Sequence, residues 1–252
     1  MTRRSFSGTI RFHFLASILS LPAAVSPPAA AAQDSSELSD DYVAAHRSFE
    51  SPELMALEFR IGPYEPEVGN NAFSQAFPDD DGPLLAAEID IIAFRLKEIL
   101  MLGAGASIGY ANYSGNAPSR EAWLSGQIER TDEETDFDLV PLSVLAVVRV
   151  DALARKLSIP FIFSGKLGYR WAFWSSETGG VDDESGVSPG WAWAVQLALD
   201  LDFFDLRAAR LMDEEWGINH SFLFFEVHGS DTRDDALPLD DTVWTAGLGF
   251  II

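Results

Sequence analysis

From Leu57 onward, apolar and polar residues alternate along most of this chain with a period of two. That period marks a β-strand with two unlike faces. Eight segments of about ten residues carry it, the length and pattern of barrel strands. In the first, Leu57, Phe59 and Ile61 share one face while Glu58 and Arg60 share the other. The second opposes Ile89 and Ile91 to Glu88 and Asp90. The third sets Leu102, Ala104, Ala106, Ile108 and Tyr110 against Gly103, Gly105, Ser107 and Gly109, whose small size leaves room for long partners. The fourth sets Leu142, Val144, Ala146, Val148 and Val150 against Ser143, Arg149 and Asp151. In the fifth, Phe161, Phe163, Leu167, Tyr169, Trp171 and Phe173 oppose Ser164, Lys166 and Arg170. The sixth runs from Trp191 to Asp202, the seventh opposes Leu223, Phe225 and Val227 to Glu226 and His228, and the eighth runs from Trp244 to Ile252.

One face is bulky and apolar along its whole length, and the other carries single charges of both signs. This pattern predicts an all-β fold, an eight-stranded antiparallel up-and-down transmembrane β-barrel. The apolar face meets lipid. Glu58, Arg60, Glu88, Asp90, Arg149, Lys166, Arg170, Gln196, Asp200, Glu226 and His228 project into the lumen. A soluble lipocalin-like barrel would alternate too, and a ten-stranded barrel would follow if the sheet extended near Gln127 and Ile128. Four outer connections are long: 63–83, 115–136, 175–190 and 229–241. The inner ones are a tight turn at Lys97-Glu98, a short stretch from Ala152 to Pro160, and residues 203–220, which hold a short amphipathic helix ended by Gly217. Short periplasmic and long extracellular connections are the outer-membrane arrangement.

Aromatic residues sort by height. Tyr64, Tyr110, Trp171, Trp191, Trp193 and Trp244, with Tyr113 and Trp174, fall at outer strand ends and form an expected girdle. Phe94, Phe161, Phe163, Phe203, Phe204 and Phe250 fall at inner ends. Amphipathic rings collect at membrane interfaces.

The N-terminus supplies the compartment. Arg3, Arg4 and Arg11 precede the apolar run Phe14 to Leu21, and small residues lead to Ala30-Ala31-Ala32. Residues 1–32 therefore read as a signal peptide, 33–54 as a polar leader, and 55–252 as the barrel. The expected location is the outer membrane of a Gram-negative bacterium.

Composition narrows the function. The 252 residues include 17 Lys+Arg against 39 Asp+Glu, a net charge of −22, and no cysteine. Without cysteine there is no disulfide, thiolate metal site or cysteine nucleophile. The acidic balance excludes nucleic acid as a partner. Most of the acidic surplus falls in the four outer loops, including Asp79-Asp80-Asp81, Asp132-Glu133-Glu134, Asp182-Asp183-Glu184 and Asp240-Asp241. None has the spacing of a calcium loop, so no metal or cofactor is expected, although such loops could share divalent ions with lipopolysaccharide phosphates.

The strings Leu57-Glu58-Phe59-Arg60-Ile61-Gly62-Pro63-Tyr64-Glu65-Pro66, Gly82-Pro83-Leu84-Leu85-Ala86-Ala87-Glu88-Ile89-Asp90 and Asp213-Glu214-Glu215-Trp216-Gly217-Ile218-Asn219-His220 resemble a family of myxobacterial (deltaproteobacterial) outer-membrane β-barrel proteins of unassigned function. The resemblance runs from about Glu53 to the C-terminus. It implies an outer-membrane location and carries no catalytic residue over. One departure is the ending Phe250-Ile251-Ile252, where barrels commonly close on an aromatic.

Candidate chemistry is sparse. The lumen charges Glu58, Arg60, Glu88, Asp90, Arg149, Lys166, Arg170, Glu226 and His228 form either a plug of ion pairs or a narrow, gated polar pore. His228 with Glu226 is raw material for a lipid-modifying barrel enzyme, but both point inward and no G-x-S-x-G accompanies them, so no enzyme is expected. His46 and His220 lie far from it in sequence. Phe73, Phe77 and Trp123 stand among loop acids, either as anchors for a partner or packed on the rim. The reading is a monomeric envelope barrel with a structural or surface-interaction role. Its partners are outer-membrane lipid, lipopolysaccharide and, during insertion, the barrel-assembly machinery. The alternative is a porin-like channel for small solutes.

Overall fold

The computed structural model describes residues 52–66, 73, 77, 82–96, 99–118, 130–157, 159–178, 181–232, 239 and 241–252. The signal peptide, most of the leader, His46, Trp123 and the Asp79–Asp81 run lie outside them. Eight strands form: β1 (Met55–Pro63), β2 (Pro83–Leu96), β3 (Leu100–Pro118), β4 (Arg130–Val150), β5 (Phe161–Thr178), β6 (Val181–Asp200), β7 (His220–Thr232) and β8 (Asp241–Ile251). Each pairs antiparallel with the next, and β8 returns to β1 to close the barrel. Closure runs from Ala56 opposite Ile251 to Ile61 opposite Ala246, and is finished by Met55 N–H donating to the Ile252 carbonyl at 2.9 Å. The ring is complete with eight strands, so the ten-stranded alternative does not hold.

Alternation sets which side faces in. Val195 is 60% exposed while the next residue, Gln196, is fully buried. The same contrast separates Phe59 from Glu58 and Arg60, Ile89 from Glu88, and Leu167 from Lys166. Apolar outside with charges inside is the reverse of a soluble barrel and the pattern of one that spans a membrane. The lipocalin-like reading, which needs an apolar interior, is overturned on that ground. Among the described residues no helix is long and apolar enough to cross a membrane.

The wall is lopsided. β3, β4, β5 and β6 have 19, 21, 18 and 20 residues, against 9 in β1 and 11 in β8. Within the segments 115–136 and 175–190, expected as loops, the described residues are strand: β3 pairs with β4 out to Pro118 and Arg130, and β5 with β6 out to Thr178 and Val181. Four strands therefore rise beyond the rest of the barrel as a sheet. Polarity concealed this from the sequence, because above the membrane the outward positions, such as Ser114, Asp136 and Glu177, are as polar as those of a loop.

Two inner connections are helical. α1 (Ala152–Leu157) lies in the short connecting stretch from Ala152 to Pro160, for which no helix was expected, and α2 (Leu206–Trp216) is the expected helix. Asp205 caps α2, accepting from the backbone N–H of Arg207 at 3.1 Å and Ala208 at 3.0 Å. Gly217, at φ 66°, ends it in the left-handed conformation that glycine adopts without steric cost.

Candidate functional site

The lumen is filled in three layers. At its middle, four carboxylates (Glu58, Glu88, Asp90, Glu226) and four cations (Arg60, Arg149, Lys166, Arg170) are buried, equal in number. Lys166 Nζ lies 2.7 Å from Glu58, 2.6 Å from Glu88 and 3.1 Å from Glu226. Arg60 spans Glu88 and Glu226 with its two terminal nitrogens. Arg149 Nη2 reaches Glu58 at 2.5 Å and Asp90 at 3.3 Å, its Nε donates to Ser164 Oγ at 3.2 Å, and its guanidinium sits 5.2 Å from the Phe222 ring centre. Gln196 donates to Glu58 at 2.9 Å. His228 Nδ1 stands 3.6 Å from Glu226.

These residues come from six strands and converge because each occupies an inward position near mid-strand. Small residues opposite make the space. A Cβ on Gly105 would collide with the Asp90 carboxylate, which is the role the sequence suggested for the glycines of β3. Every lumen residue expected from the sequence, from Glu58 to His228, is buried inside the barrel except Asp200, which is half-buried at the inner rim.

Above the network sits an aromatic cap: Tyr64, Phe73, Phe77, Leu84, Tyr113, Phe137, Leu139 and Leu239, with Trp174 against them. Tyr113 Oη donates to the Tyr64 carbonyl at 2.6 Å, and Phe73 meets Tyr113 edge-on with centroids 4.7 Å apart. Tyr64 is thus not a girdle residue, and neither are Tyr113 and Trp174. Strand parity explains the correction. Tyr64 shares its face with Glu58, Arg60 and Gly62, so it points inward. Phe73 and Phe77 are buried in the cap and are not exposed anchors. Tyr110, Trp191, Trp193 and Trp244 are exposed on the outer wall as expected, and Trp171 is partly so.

Below the network, Met101, Ile162, Phe222, Phe224 and Ile251 form an apolar floor against which Ile92 and Ala154 of α1 pack. Phe222 and Phe224 lie opposite Gly249 and Gly247, whose missing side chains are the space the two rings fill. A cavity of about 30 Å³ borders Arg60, Glu88, Arg170, His228 and Leu84. That is room for about two waters.

A smaller cluster marks the inner rim. His220 Nδ1 lies 2.7 Å from Asp202 and its Nε2 lies 3.5 Å from Glu53, while Arg95 pairs with Glu53 and, at 3.1 Å, with Asp151. Asp202 also accepts from the N–H and Oγ of Ser221, each at 3.2 Å. These contacts tie the segment before β1 to the inner ends of β2, β4 and β6 and to the start of β7. Sequence reasoning set His220 aside as an isolated turn residue. It also missed Arg95, because a bulge at Ala93, between the Ile92–Gly103 and Phe94–Leu102 pairs, reverses the parity and turns Arg95 inward and Phe94 out. Ligand atoms of Asp200, Asp202 and His220 fall within 4.8 Å of one another, but both ring nitrogens already face carboxylates, which accounts for the cluster as a latch.

The geometry defines a class: a closed antiparallel barrel with a lipid-facing exterior and a charged, capped interior. No family model and no curated protein matches the chain. Among solved structures, it is similar to Ail, the attachment invasion locus protein of Yersinia pestis, at 11% identity, covering 80% of this chain and 100% of that one with a TM-score of 0.45. It is similar to Neisserial surface protein A, NspA, at 9% identity, covering 79% and 97% with a TM-score of 0.44. A third is the N-terminal β-barrel domain of Pseudomonas aeruginosa OprF, at 10% identity, covering 80% and 100% with a TM-score of 0.38. The barrel assignment itself rests on the strand pairing of this chain.

Proposed function

We propose that this chain is a non-catalytic outer-membrane barrel that presents an acidic sheet to the cell's surroundings, in a structural or surface-contact role. The observation that carries this reading is the four-stranded extension of β3–β6. On its exposed face Asp136 stands directly opposite Glu177, and Asp136 and Asp138 accept hydrogen bonds from Ser114 and Asn112 at 2.7 and 3.0 Å. Like charges opposite one another on a sheet destabilise it. Their presence on an exposed face therefore points to contact with cations or with a cationic partner. Lipopolysaccharide phosphates bridged by divalent ions are one such contact within the envelope. The protein acts as a monomer, inserted by the barrel-assembly machinery after export.

The test compares wild type with the variant Asp136→Asn, Asp138→Asn, Glu177→Gln. Attachment of barrel-bearing liposomes to a polycationic surface, with and without millimolar magnesium, should fall several-fold in the variant while the barrel stays folded. Unchanged attachment would remove the surface reading. The porin-like alternative is opposed by the cap, the network and the floor stacked along one lumen.

A further inference from the structure

We infer that α2 and the two phenylalanines before it form an interfacial foot, seated in the inner-leaflet headgroup region of the same bilayer the barrel crosses. This inference rests on the membrane reading above. β6 descends with Val195 and Leu197 exposed on its lipid-facing side, and the chain leaves it into Phe203 and Phe204; it returns through Trp216 and Gly217 to β7, where Leu223 faces lipid again. The connection is continuous with the apolar belt at both ends. Phe204 is 67% and Trp216 66% exposed, and within α2 only Ala209 is buried. Met212 is half-buried, while Leu206, Leu211 and Trp216 are exposed and have little covering from the barrel. Exposed aromatic rings at this height suit the headgroup boundary, where an apolar body and a polar edge are both satisfied.

The helix has the other marks of an in-plane segment. It is amphipathic, and Arg207 and Arg210 are exposed to water, with Arg210 also held 2.7 Å from Glu214 on the polar side. Asp213, Glu214 and Glu215 on the same helix outnumber these two bases, so the seating rests on apolar burial and not on attraction to anionic lipid. Asp205 and Gly217 cap the two ends from within the segment, so the helix is preformed and binding need not order it. Phe203 and Phe204 pack edge to face, with centroids 5.8 Å apart, as one wedge ahead of the helix.

The chain has no cysteine, so single cysteines report position cleanly. Nitroxide labels at Leu197→Cys, Phe204→Cys, Trp216→Cys and Glu215→Cys are read by power-saturation EPR in phosphatidylcholine–phosphatidylglycerol nanodiscs, which leave both faces open. The expected result is an oxygen-to-nickel-chelate accessibility ratio several-fold higher at 197, 204 and 216 than at 215. If 197 favours oxygen while 204 and 216 match 215, the foot stands in water or covers another protein, and the inference fails alone. If 197 also matches 215, the membrane reading fails and the foot with it. Heat-modifiable mobility confirms that each variant is folded before it is scored.

Discussion

Lys166 Nζ lies 2.7 Å from a Glu58 carboxylate oxygen across the lumen, although 108 residues separate them in the chain. The contact holds β5 and β1 in relation through the interior rather than through the wall. Because the same ammonium also touches Glu88 and Glu226, its removal would strand three buried carboxylates at once.

Lys166→Met is therefore expected to destabilise the barrel by about 3–5 kcal/mol, the usual penalty for leaving buried charge unpaired. Urea unfolding in micelles, followed by heat-modifiable mobility, measures it. A loss below about 1 kcal/mol would mean that water enters and compensates, and that the plug is loose.

Planar-bilayer recording of the wild type is expected to give no steady unit conductance. Removing the cap with Tyr64→Ala and Tyr113→Ala should leave the trace silent, since the ion-pair layer and the floor still block the path. A stable unit conductance in the wild type would instead establish the channel reading.

Gly249→Val should disrupt the pairing of β7 with β8, since the new side chain would occupy the position of the Phe222 ring. Overpacking of this kind costs about 1–3 kcal/mol and here falls at a strand pair the barrel needs. Combining it with Phe222→Ala should restore much of the folded fraction in a refolding assay into lipid vesicles. A pair no better than the single variant would refute the complementarity.

Arginine scanning should report depth. Val195→Arg, on the outward face near mid-strand, is expected to cost about 2–4 kcal/mol, and Asn112→Arg, on the risen part of β3, about 0–1 kcal/mol. Equal costs at the two positions would contradict the placement of the belt.

Which residues face in was legible from the sequence wherever period two ran unbroken. Glu58, Glu88, Lys166 and Glu226 all lie where alternation put them. The reading failed where height mattered instead of parity. Tyr64, Tyr113 and Trp174 were assigned to the girdle by their position near strand ends, although their own parity turns them inward. It failed again at the Ala93 bulge, which one extra residue creates and no composition announces. The rise of β3–β6 was missed because its exposed polar positions have the composition of a loop.

Alternation by itself determined that this chain forms eight two-faced strands with charge on one side and grease on the other, because a side chain's face follows from its place along a strand. Only the closed ring decided which charges meet. Pairing in the lumen depends on register and stagger around the circle, which bring Arg60, Glu88, Lys166 and Glu226 to one level from four strands. Where the arms above the lipid leave the barrel, Tyr113, Phe137 and Trp174 turn into the cap, while outward positions such as Ser114, Asp136 and Glu177 are polar. The arms' strand character comes from backbone pairing, within the β3–β4 and β5–β6 hairpins and, where Asp136 stands opposite Glu177, between β4 and β5.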